Sequence, residues 1–304
     1  MENNYCVRTR GLTKKYSKFT LGALDLDIPE GFSTALIGAN GAGKTTLIDI
    51  LCGVTHRTDG EVTYFGDSRD ISDPNLRERI GYCASNAFFP LGFTAKDIAV
   101  SMEIAYKSFD RAKFAELCEK FEVDSENTKK PRPMHKQSDG NRMRTCLASV
   151  FARSTELLVL EPYNLLVLDE PGSSLDPLMR DRLCDRMREY LDDGDGRKSI
   201  IFSTHNIADM ENAADYAVFM DKGHVIEQGF IEELKEKYIV VSGDAENWEQ
   251  AKSLLMSGSH NRTTFDGLAL SENSEALAAL NAETATPTLQ QLSVGLLKYA
   301  EEHR

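Results

Sequence analysis

A single glycine-rich loop constrains this chain more than any other feature. Residues Gly38–Thr45 read G-A-N-G-A-G-K-T, which matches the pattern G-x-x-x-x-G-K-S/T. The apolar segment Ser33–Ile37 before the loop predicts a strand, and Lys44–Leu51 predicts a helix. Glycines let successive backbone N–H groups point at phosphate oxygens, and the helix adds the positive end of its dipole. The loop therefore predicts a strand–loop–helix unit that binds a nucleoside triphosphate.

The last two residues of the loop have side chains suited to this ligand. The Lys44 ammonium is long enough to reach the β- and γ-phosphates of a bound nucleotide. The Thr45 hydroxyl is a ligand for the Mg²⁺ that accompanies the phosphates. We therefore predict that the nucleotide binds together with Mg²⁺.

Another predicted strand ends in two carboxylates. Leu165–Leu168 is a run of four aliphatic residues, and Asp169 and Glu170 follow it directly. Such a run is typical of a strand buried on both faces of a parallel sheet, and ligands bind at the carboxyl ends of these strands. We predict that Asp169 holds Mg²⁺ and that Glu170 polarises the water that attacks the γ-phosphate.

Predicted strands and helices alternate over most of the chain, which indicates an α/β fold with a largely parallel sheet. The predicted strands are Tyr5–Thr9, Leu21–Ile28, Ser33–Ile37, 61–65, 80–83, Leu165–Leu168 and Ser199–Phe202. The predicted helices are Lys44–Leu51, Thr94–Phe121, Asn141–Arg153 and Leu178–Leu191. From about Val241 the composition shifts toward Ala, Ser, Thr and Asn, with helices expected at 246–256 and 288–301. We therefore expect one domain over residues 1–240 and an accessory region over 241–304.

Composition excludes several classes of protein. The chain has 48 acidic and 35 basic side chains and a net charge of −13, which argues against nucleic-acid binding because phosphate contact needs clustered Lys and Arg. Its six cysteines lie far apart without a C-x-x-C pair, so they are expected to be reduced and mostly buried, as in a cytosolic protein. The sequence has neither a membrane-length apolar run nor an apolar signal segment, so it is expected to be soluble by itself.

Over about residues 5–240 these segments resemble the ATP-binding subunit of a bacterial ABC transporter, of the exporter type with a separately encoded permease. Ser138–Arg142 resembles the family's signature motif, LSGGQ, and Ser173–Asp176 resembles its D-loop. Ser203–His205 resembles the segment with the switch histidine, and Tyr16 stands where the family places an aromatic ring under adenine. Their order along the chain is the family's order.

The resemblance implies a fold and a set of partners. The implied fold is an ABC-type P-loop NTPase with a mainly parallel core sheet, an N-terminal antiparallel β subdomain and a helical signature subdomain at about residues 86–150. In this family two nucleotide-binding subunits, identical or different, sandwich two ATP molecules head to tail, and closure of the dimer drives a membrane permease. The chain is therefore expected to be cytoplasmic and attached to the inner face of the membrane through the permease. Peptides and antimicrobials are typical export substrates of such systems.

The resemblance also implies the site residues. The implied catalytic residues are Glu170, His205 and Lys44. The implied ATP-binding residues are Tyr16, Gly38, Asn40, Gly41, Ala42, Gly43, Lys44, Thr45, Thr46, Ser138 and Gly140. The implied Mg²⁺ ligands are Thr45, Asp169 and Ser85. Ser138 and the Gly140 N–H would complete the γ-phosphate cage of the opposite subunit, and His205 would hydrogen-bond the γ-phosphate.

Two departures from the family's pattern concern the site itself. The signature begins with Gln137, and Asp139 and Asn141 replace its first Gly and its Gln, while Ser138 and Gly140 are kept. The Asp139 charge near a polyphosphate predicts weaker closure of the dimer. Ser85 stands in the register of a family Gln, and its side chain is shorter. The alternative function is therefore a degenerate subunit that binds ATP, hydrolyses it poorly and acts as a regulatory or heterodimer partner.

A third departure is a near repeat before the acidic strand. The segment 157–162 reads LLVLEP, and the segment 165–171 reads LLVLDEP. The spacing from Ser138 favours the first copy, but there Pro162 would replace the catalytic Glu. We therefore predict that Leu165–Leu168 is the central strand and that residues 157–164 are a local insertion.

Overall fold

The computed structural model describes residues 4–85, 89–123, 132–153, 165–205, 207–208 and 210–303. The strands in these ranges are β1 (Tyr5–Lys15), β2 (Thr20–Pro29), β3 (Ser33–Ile37), β4 (Asp59–Tyr64), β5 (Ile80–Cys83), β6 (Leu165–Leu168), β7 (Ser199–Thr204), β8 (Tyr216–Asp221), β9 (His224–Phe230), β10 (Tyr238–Asp244), β11 (Ser257–His260), β12 (Thr264–Leu270) and β13 (Glu283–Ala285). The α-helices are α1 (Lys44–Leu51), α2 (Pro74–Glu78), α3 (Ala95–Ala105), α4 (Arg111–Lys120), α5 (Asp139–Phe151), α6 (Pro177–Asp192), α7 (Ile231–Lys237), α8 (Trp248–Ala251), α9 (Ser274–Ala278) and α10 (Leu289–Glu302). Within the described ranges, none of these helices has the length and apolar character needed to cross a membrane.

The central sheet has six strands in the order β5-β6-β7-β3-β8-β9. The first five are parallel, and β9 pairs antiparallel with β8. All four residues of β6, Leu165–Leu168, are buried between β5 and β7, so the prediction of this segment as the central strand is confirmed. Residues 157–164, the predicted insertion, lie outside the described residues. The sheet brings the carboxyl ends of β3, β6 and β7 to one edge, where Asp169 and Glu170 lie.

An antiparallel sheet in the order β2-β1-β4 packs on α1, as the family resemblance implied. Leu21 and Leu26 of this sheet share a buried core with Leu47 and Ile48 of the helix. The packing is tight at Gly43, where a Cβ atom would come within 2.8 Å of the Leu21 side chain. The N-terminal sheet therefore packs directly against the last glycine of the loop, Gly43.

The helical pattern predicted over Thr94–Phe121 forms two helices, α3 and α4, with a break between them. Thr94 caps α3 with a capping box, and Asp110 caps α4 by accepting hydrogen bonds from two backbone N–H groups. The second cap interrupts a segment whose apolar spacing stays helical on both sides. The two helices pack with α5, whose first residues carry the signature motif.

The region after residue 240 contains a sheet that the sequence did not predict. Its four antiparallel strands lie in the order β11-β12-β10-β13, and with α8 and α9 they form a β-α-β-β-α-β unit of ferredoxin-like topology. The helix predicted at 246–256 is present but ends earlier: a continuous helical run extends from Ala245 to Leu254, with α8 at its centre, and a strand begins at Ser257. The strand Ser257–His260 reads SGSH and shows no apolar alternation that would predict a strand.

The helix predicted at 288–301 is confirmed as α10, and it packs on strands β11 and β12 of the C-terminal sheet, where Ser257 Oγ donates a hydrogen bond to the Gly295 carbonyl at 2.8 Å. Its buried side chains Leu289, Leu292 and Leu296 belong to the main core, together with Ile231 and Leu234 of α7. The same core includes Leu268 of β12, so the helix joins the C-terminal sheet to the main core. The boundary near residue 240 stays a prediction.

This packing predicts a large effect of a change in α10 on the whole fold. Leu292→Ala should lower the free energy of unfolding by about 2–5 kcal/mol, because the side chain is fully buried and leaves a cavity. Val294→Ala on the same helix is the matched control, because Val294 is 47% exposed. Urea denaturation of both variants measures the difference, and equal stabilities would show that α10 is not part of the main core.

Candidate nucleotide site

The glycine-rich loop joins β3 to α1 in a conformation that only glycines allow at several positions. Gly41 and Gly43 have φ angles of +83° and +106°. A Cβ atom on Gly38 would lie 2.3 Å from the carbonyl oxygen of Met220. The helix begins at Lys44 without a side-chain cap and without an acidic residue in its first turn. Its first backbone N–H groups are therefore available to an anion.

The Lys44 side chain is buried at this loop. Its Nζ donates a hydrogen bond to the carbonyl oxygen of Gly38 at 2.6 Å and lies 3.6 Å from Oε1 of Glu170. A buried ammonium needs anionic or carbonyl partners. The Lys44 side chain thus lies between the loop and the carboxylate of Glu170, at the place where the sequence predicts the phosphates.

Asp169 lies at the end of β6 and is only 1% exposed. Its carboxylate accepts hydrogen bonds from Ser203 Oγ at 2.7 Å, Ser85 Oγ at 2.8 Å and Thr45 Oγ1 at 3.1 Å. Within the described ranges no ion pair involves this carboxylate, although it is buried. The structure thus brings the three predicted Mg²⁺ ligands, Thr45, Asp169 and Ser85, together.

The chemistry of this donor set fits Mg²⁺, which prefers oxygen ligands and is held in proteins by few side chains together with phosphates. In the described part of the chain, no cluster of three or more His, Cys, Asp or Glu side chains could hold a metal ion by itself. The charge of Asp169 also acts on its neighbours. Burial raises the pKa of Asp49 on α1; a hydrogen bond from Tyr82 opposes this, and Asp169 raises the pKa further. A cation beside Asp169 would relieve this repulsion.

Glu170 is held between two basic groups. Its Oε2 lies 2.7 Å from Nδ1 of His205, and its Oε1 faces Lys44. The backbone of Glu170 has a φ of +50°, in the left-handed region that non-glycine residues rarely adopt. His205, at the carboxyl end of β7, is half exposed, so its ring borders the open side of the site. Glu170 is therefore in direct contact with the two other predicted catalytic residues, Lys44 and His205.

The predicted adenine platform lies on the turn between β1 and β2. Tyr16 is 47% exposed, and its backbone N–H donates to the carbonyl oxygen of Phe19 at 2.8 Å. The ring of Phe19 in turn lies 3.1 Å from the position of a Cβ atom on Gly43. This turn therefore lies beside the loop, with the Tyr16 ring accessible to a base. Of the other predicted ATP-binding residues, Asn40 and Gly41 are exposed, Ala42 is buried and Thr46 is half-buried in α1.

The signature residues lie at the start of α5. Ser138 caps this helix by accepting a hydrogen bond from the Asn141 N–H, and a Cβ atom on Gly140 would lie 2.6 Å from the carbonyl oxygen of Ser174 in the D-loop. Asp139 is 86% exposed and pairs with Arg142 at 3.2 Å. Among the residues that the structure describes, no hydrogen bond or ion pair joins Ser138 or Gly140 to the glycine-rich loop of the same chain.

Sequence reasoning missed one member of the site, Ser203. Its hydroxyl contacts Asp169, and it accepts a hydrogen bond from the Glu170 N–H. The pairing of β6 with β7 would have identified it. Leu168 pairs with Phe202, so the next residue on β7, Ser203, lies beside Asp169. That pairing requires the strand order, which the sequence does not reveal locally.

Comparisons with known proteins show the family of this chain. The family model for ABC transporter proteins matches residues 21–173, which are 153 of the 304 residues. The sulfate/thiosulfate import ATP-binding protein CysA of Bacillus cereus is 29% identical over 76% of this chain and 63% of its own length. The bacitracin transport ATP-binding protein BcrA of Enterococcus faecalis is 26% identical over 92% of this chain and 89% of its own length. The match thus spans less than two thirds of the length of the CysA protein.

Among solved structures, a dimeric bacterial ABC transporter cassette has the same fold. It superposes with a TM-score of 0.61 at 19% identity and covers 74% of this chain and 98% of its own. The loop, the acidic strand end and the family match lead to one conclusion. The chain belongs to the ABC transporter family of ATPases, as an ATP-binding subunit.

Proposed function

We propose that this chain binds and hydrolyses MgATP to drive transport through a separate membrane permease. The observation that carries the proposal is the position of Glu170, whose carboxylate contacts Lys44 and His205 one residue after Asp169. A carboxylate beside the phosphate-binding lysine is placed to act as a general base. The cation of Lys44 and the ring of His205 keep it at the position where the γ-phosphate would be attacked.

In this mechanism each residue of the site has a separate role. Lys44 would exchange its hydrogen bond with the Gly38 carbonyl for the phosphate oxygens, and the N–H groups of the loop would hold the β-phosphate. Thr45, Asp169 and Ser85 would hold Mg²⁺, which neutralises charge on the β- and γ-phosphates when bound. Glu170 would orient the water and accept its proton, and His205 would hydrogen-bond the γ-phosphate. Tyr16 would stack on adenine.

We propose that the subunit works as a head-to-tail dimer with another copy or a related subunit. The support is that, among the described residues, Ser138 and Gly140 make no hydrogen bond to the loop of their own chain, and Gly140 packs against the Ser174 carbonyl of the D-loop instead. The solved dimeric cassette with the same fold also supports a dimer. Ser138 and the Gly140 N–H would then act on the γ-phosphate bound to the partner.

We propose export as the direction of transport, and a peptide or antimicrobial as the substrate class. The match to the bacitracin transport protein covers 92% of the chain and thus extends into the region after residue 240. The match to the sulfate/thiosulfate import protein covers 76% of the chain. In this proposal the subunit is cytoplasmic and peripheral on the inner membrane face, and its partners do not include nucleic acid.

Co-purification tests the transport role. The tagged chain, expressed in its own cells and extracted in mild detergent, should retain an integral-membrane permease, and that permease should change its ATPase rate. Steady-state phosphate release with and without the permease measures this. A chain that hydrolyses ATP but retains no membrane protein would contradict the transport role and leave the ATPase assignment intact.

The exposed charge of Asp139 favours a second candidate function, a subunit that hydrolyses ATP poorly. Asp139→Asn should raise the ATPase rate and the affinity of the ATP-held dimer about fivefold, because it removes on the order of 1 kcal/mol of repulsion from the partner's phosphates. Asp185→Asn is the matched control, since Asp185 also pairs with an arginine three residues on, Arg188, at an exposed helix surface. Unchanged or lower activity of the Asp139 variant would count against any inhibition by this charge.

A further inference from the structure

Ser203 occupies a position between the two carboxylate residues of the site. It lies on β7 next to β6, where Leu168 pairs with Phe202, and on its other side it pairs with Leu36 of β3. Its side chain is fully buried at the carboxyl edge of the central sheet. The backbone of Ser203 is therefore held by a strand on each side.

The two hydrogen bonds of this hydroxyl have a defined direction. The Glu170 N–H can only donate, so Ser203 Oγ accepts from it at 2.8 Å. The Ser203 hydroxyl in turn donates to Oδ1 of Asp169 at 2.7 Å. One serine thus connects the carboxylate predicted to hold Mg²⁺ with the backbone of the predicted general base.

Each bond constrains a different group. With Oδ1 bound to Ser203, Oδ2 of Asp169 accepts from Ser85 at 2.8 Å and from Thr45 at 3.1 Å, and the Thr45 hydroxyl also lies 3.3 Å from Oδ1. The bond from the Glu170 N–H holds a residue with a φ of +50°, and this backbone conformation accompanies the contacts of its carboxylate with Lys44 and His205. Loss of the Ser203 hydroxyl would free both groups to reorient.

We infer that Ser203 is a positioning residue that orients Asp169 toward Mg²⁺ and Glu170 toward the attacking water. The inference rests on the proposed MgATP hydrolysis. Ser203 touches neither nucleotide nor metal in this role, and acts only through its two neighbours. Hydrogen-bonding partners of metal ligands commonly change metal affinity or activity about 10- to 100-fold when removed.

Ser203→Ala tests the inference, with Ser199→Ala as the matched control. Ser199 is a fully buried serine on the same strand, and its Oγ accepts a backbone hydrogen bond from Gly31 at 2.9 Å, at the opposite end of the sheet. Calorimetric titration with ATP, with and without Mg²⁺, gives the factor by which Mg²⁺ tightens binding. This factor should fall about tenfold in Ser203→Ala, with Mg²⁺-free affinity unchanged, and kcat should fall at least as much.

Values for Ser203→Ala within about twofold of those for Ser199→Ala would overturn the inference. Ser203→Cys, which keeps the size of the side chain but hydrogen-bonds weakly, carries the same test if the alanine variant does not fold. Turnover that persists in a Glu170→Gln variant would refute the proposed hydrolysis mechanism instead. The calorimetric factor would still decide whether Ser203 orients Asp169, because it needs no turnover.

Discussion

Glu170→Gln should abolish steady-state ATP turnover and hold the subunit in an ATP-bound dimer. Glutamine keeps the shape of the side chain and its contact with His205, but it cannot accept a proton from water. Loss of a general base lowers rates by about 10²- to 10⁴-fold. The variant also removes a negative charge beside Lys44, so ATP binding should be retained or tightened. Phosphate release measures turnover, and light scattering on a sizing column in the presence of ATP measures the dimer.

Glu116→Gln is the control for this experiment. Glu116 is an exposed glutamate on α4 that pairs with the exposed Lys120, so its neutral form should leave turnover and dimerisation unchanged. Residual turnover of Glu170→Gln close to that of the control would mean that another group activates the water. A variant that is inactive but remains monomeric with ATP would contradict the proposed sandwich dimer and leave Glu170 as the base.

The parts of the site that the sequence predicted are those encoded by continuous segments. The loop from Gly38 to Thr45 carries its own strand and helix, and Asp169 and Glu170 directly follow a run of aliphatic residues. Of the two similar segments before Pro171, only the second has a glutamate in the position of the catalytic residue. The position of Leu165–Leu168 between β5 and β7 confirms that this segment is the strand. Local pattern was sufficient there because one segment supplied both the strand and the functional groups.

The parts that the sequence did not predict depend on contacts between distant segments. The bridge made by Ser203 needs β7 to lie beside β6, and the left-handed backbone of Glu170 has no signature in the residue itself. The C-terminal sheet was missed because its strand Ser257–His260 is short and polar, and its pairing with β12 defines it as a strand. The sequence pattern did not predict the break between α3 and α4. The apolar residues keep a helical spacing across it, and only the capping residue Asp110 marks the start of the second helix.

Lys44→Met should weaken ATP binding about 100-fold, because charge-assisted hydrogen bonds to phosphates contribute about 1.5–3 kcal/mol each. Methionine retains most of the apolar volume of the buried stem and removes the ammonium that contacts the Gly38 carbonyl and Glu170. Calorimetric titration with ATP measures the affinity, and the thermal unfolding midpoint checks that the variant folds.

Lys120→Met on α4 is the control, because Lys120 is 57% exposed and pairs only with Glu116 in the described contacts. An affinity of Lys44→Met within about threefold of this control would mean that the loop does not hold the phosphates. The proposed roles of Thr45, Asp169 and Glu170 would then fail too, because each acts on phosphates that the same loop holds. Conversely, loss of binding in Lys44→Met together with retained binding in Glu170→Gln would separate the two functions of this ion pair. The ammonium would serve to bind ATP, and the carboxylate would serve to cleave it.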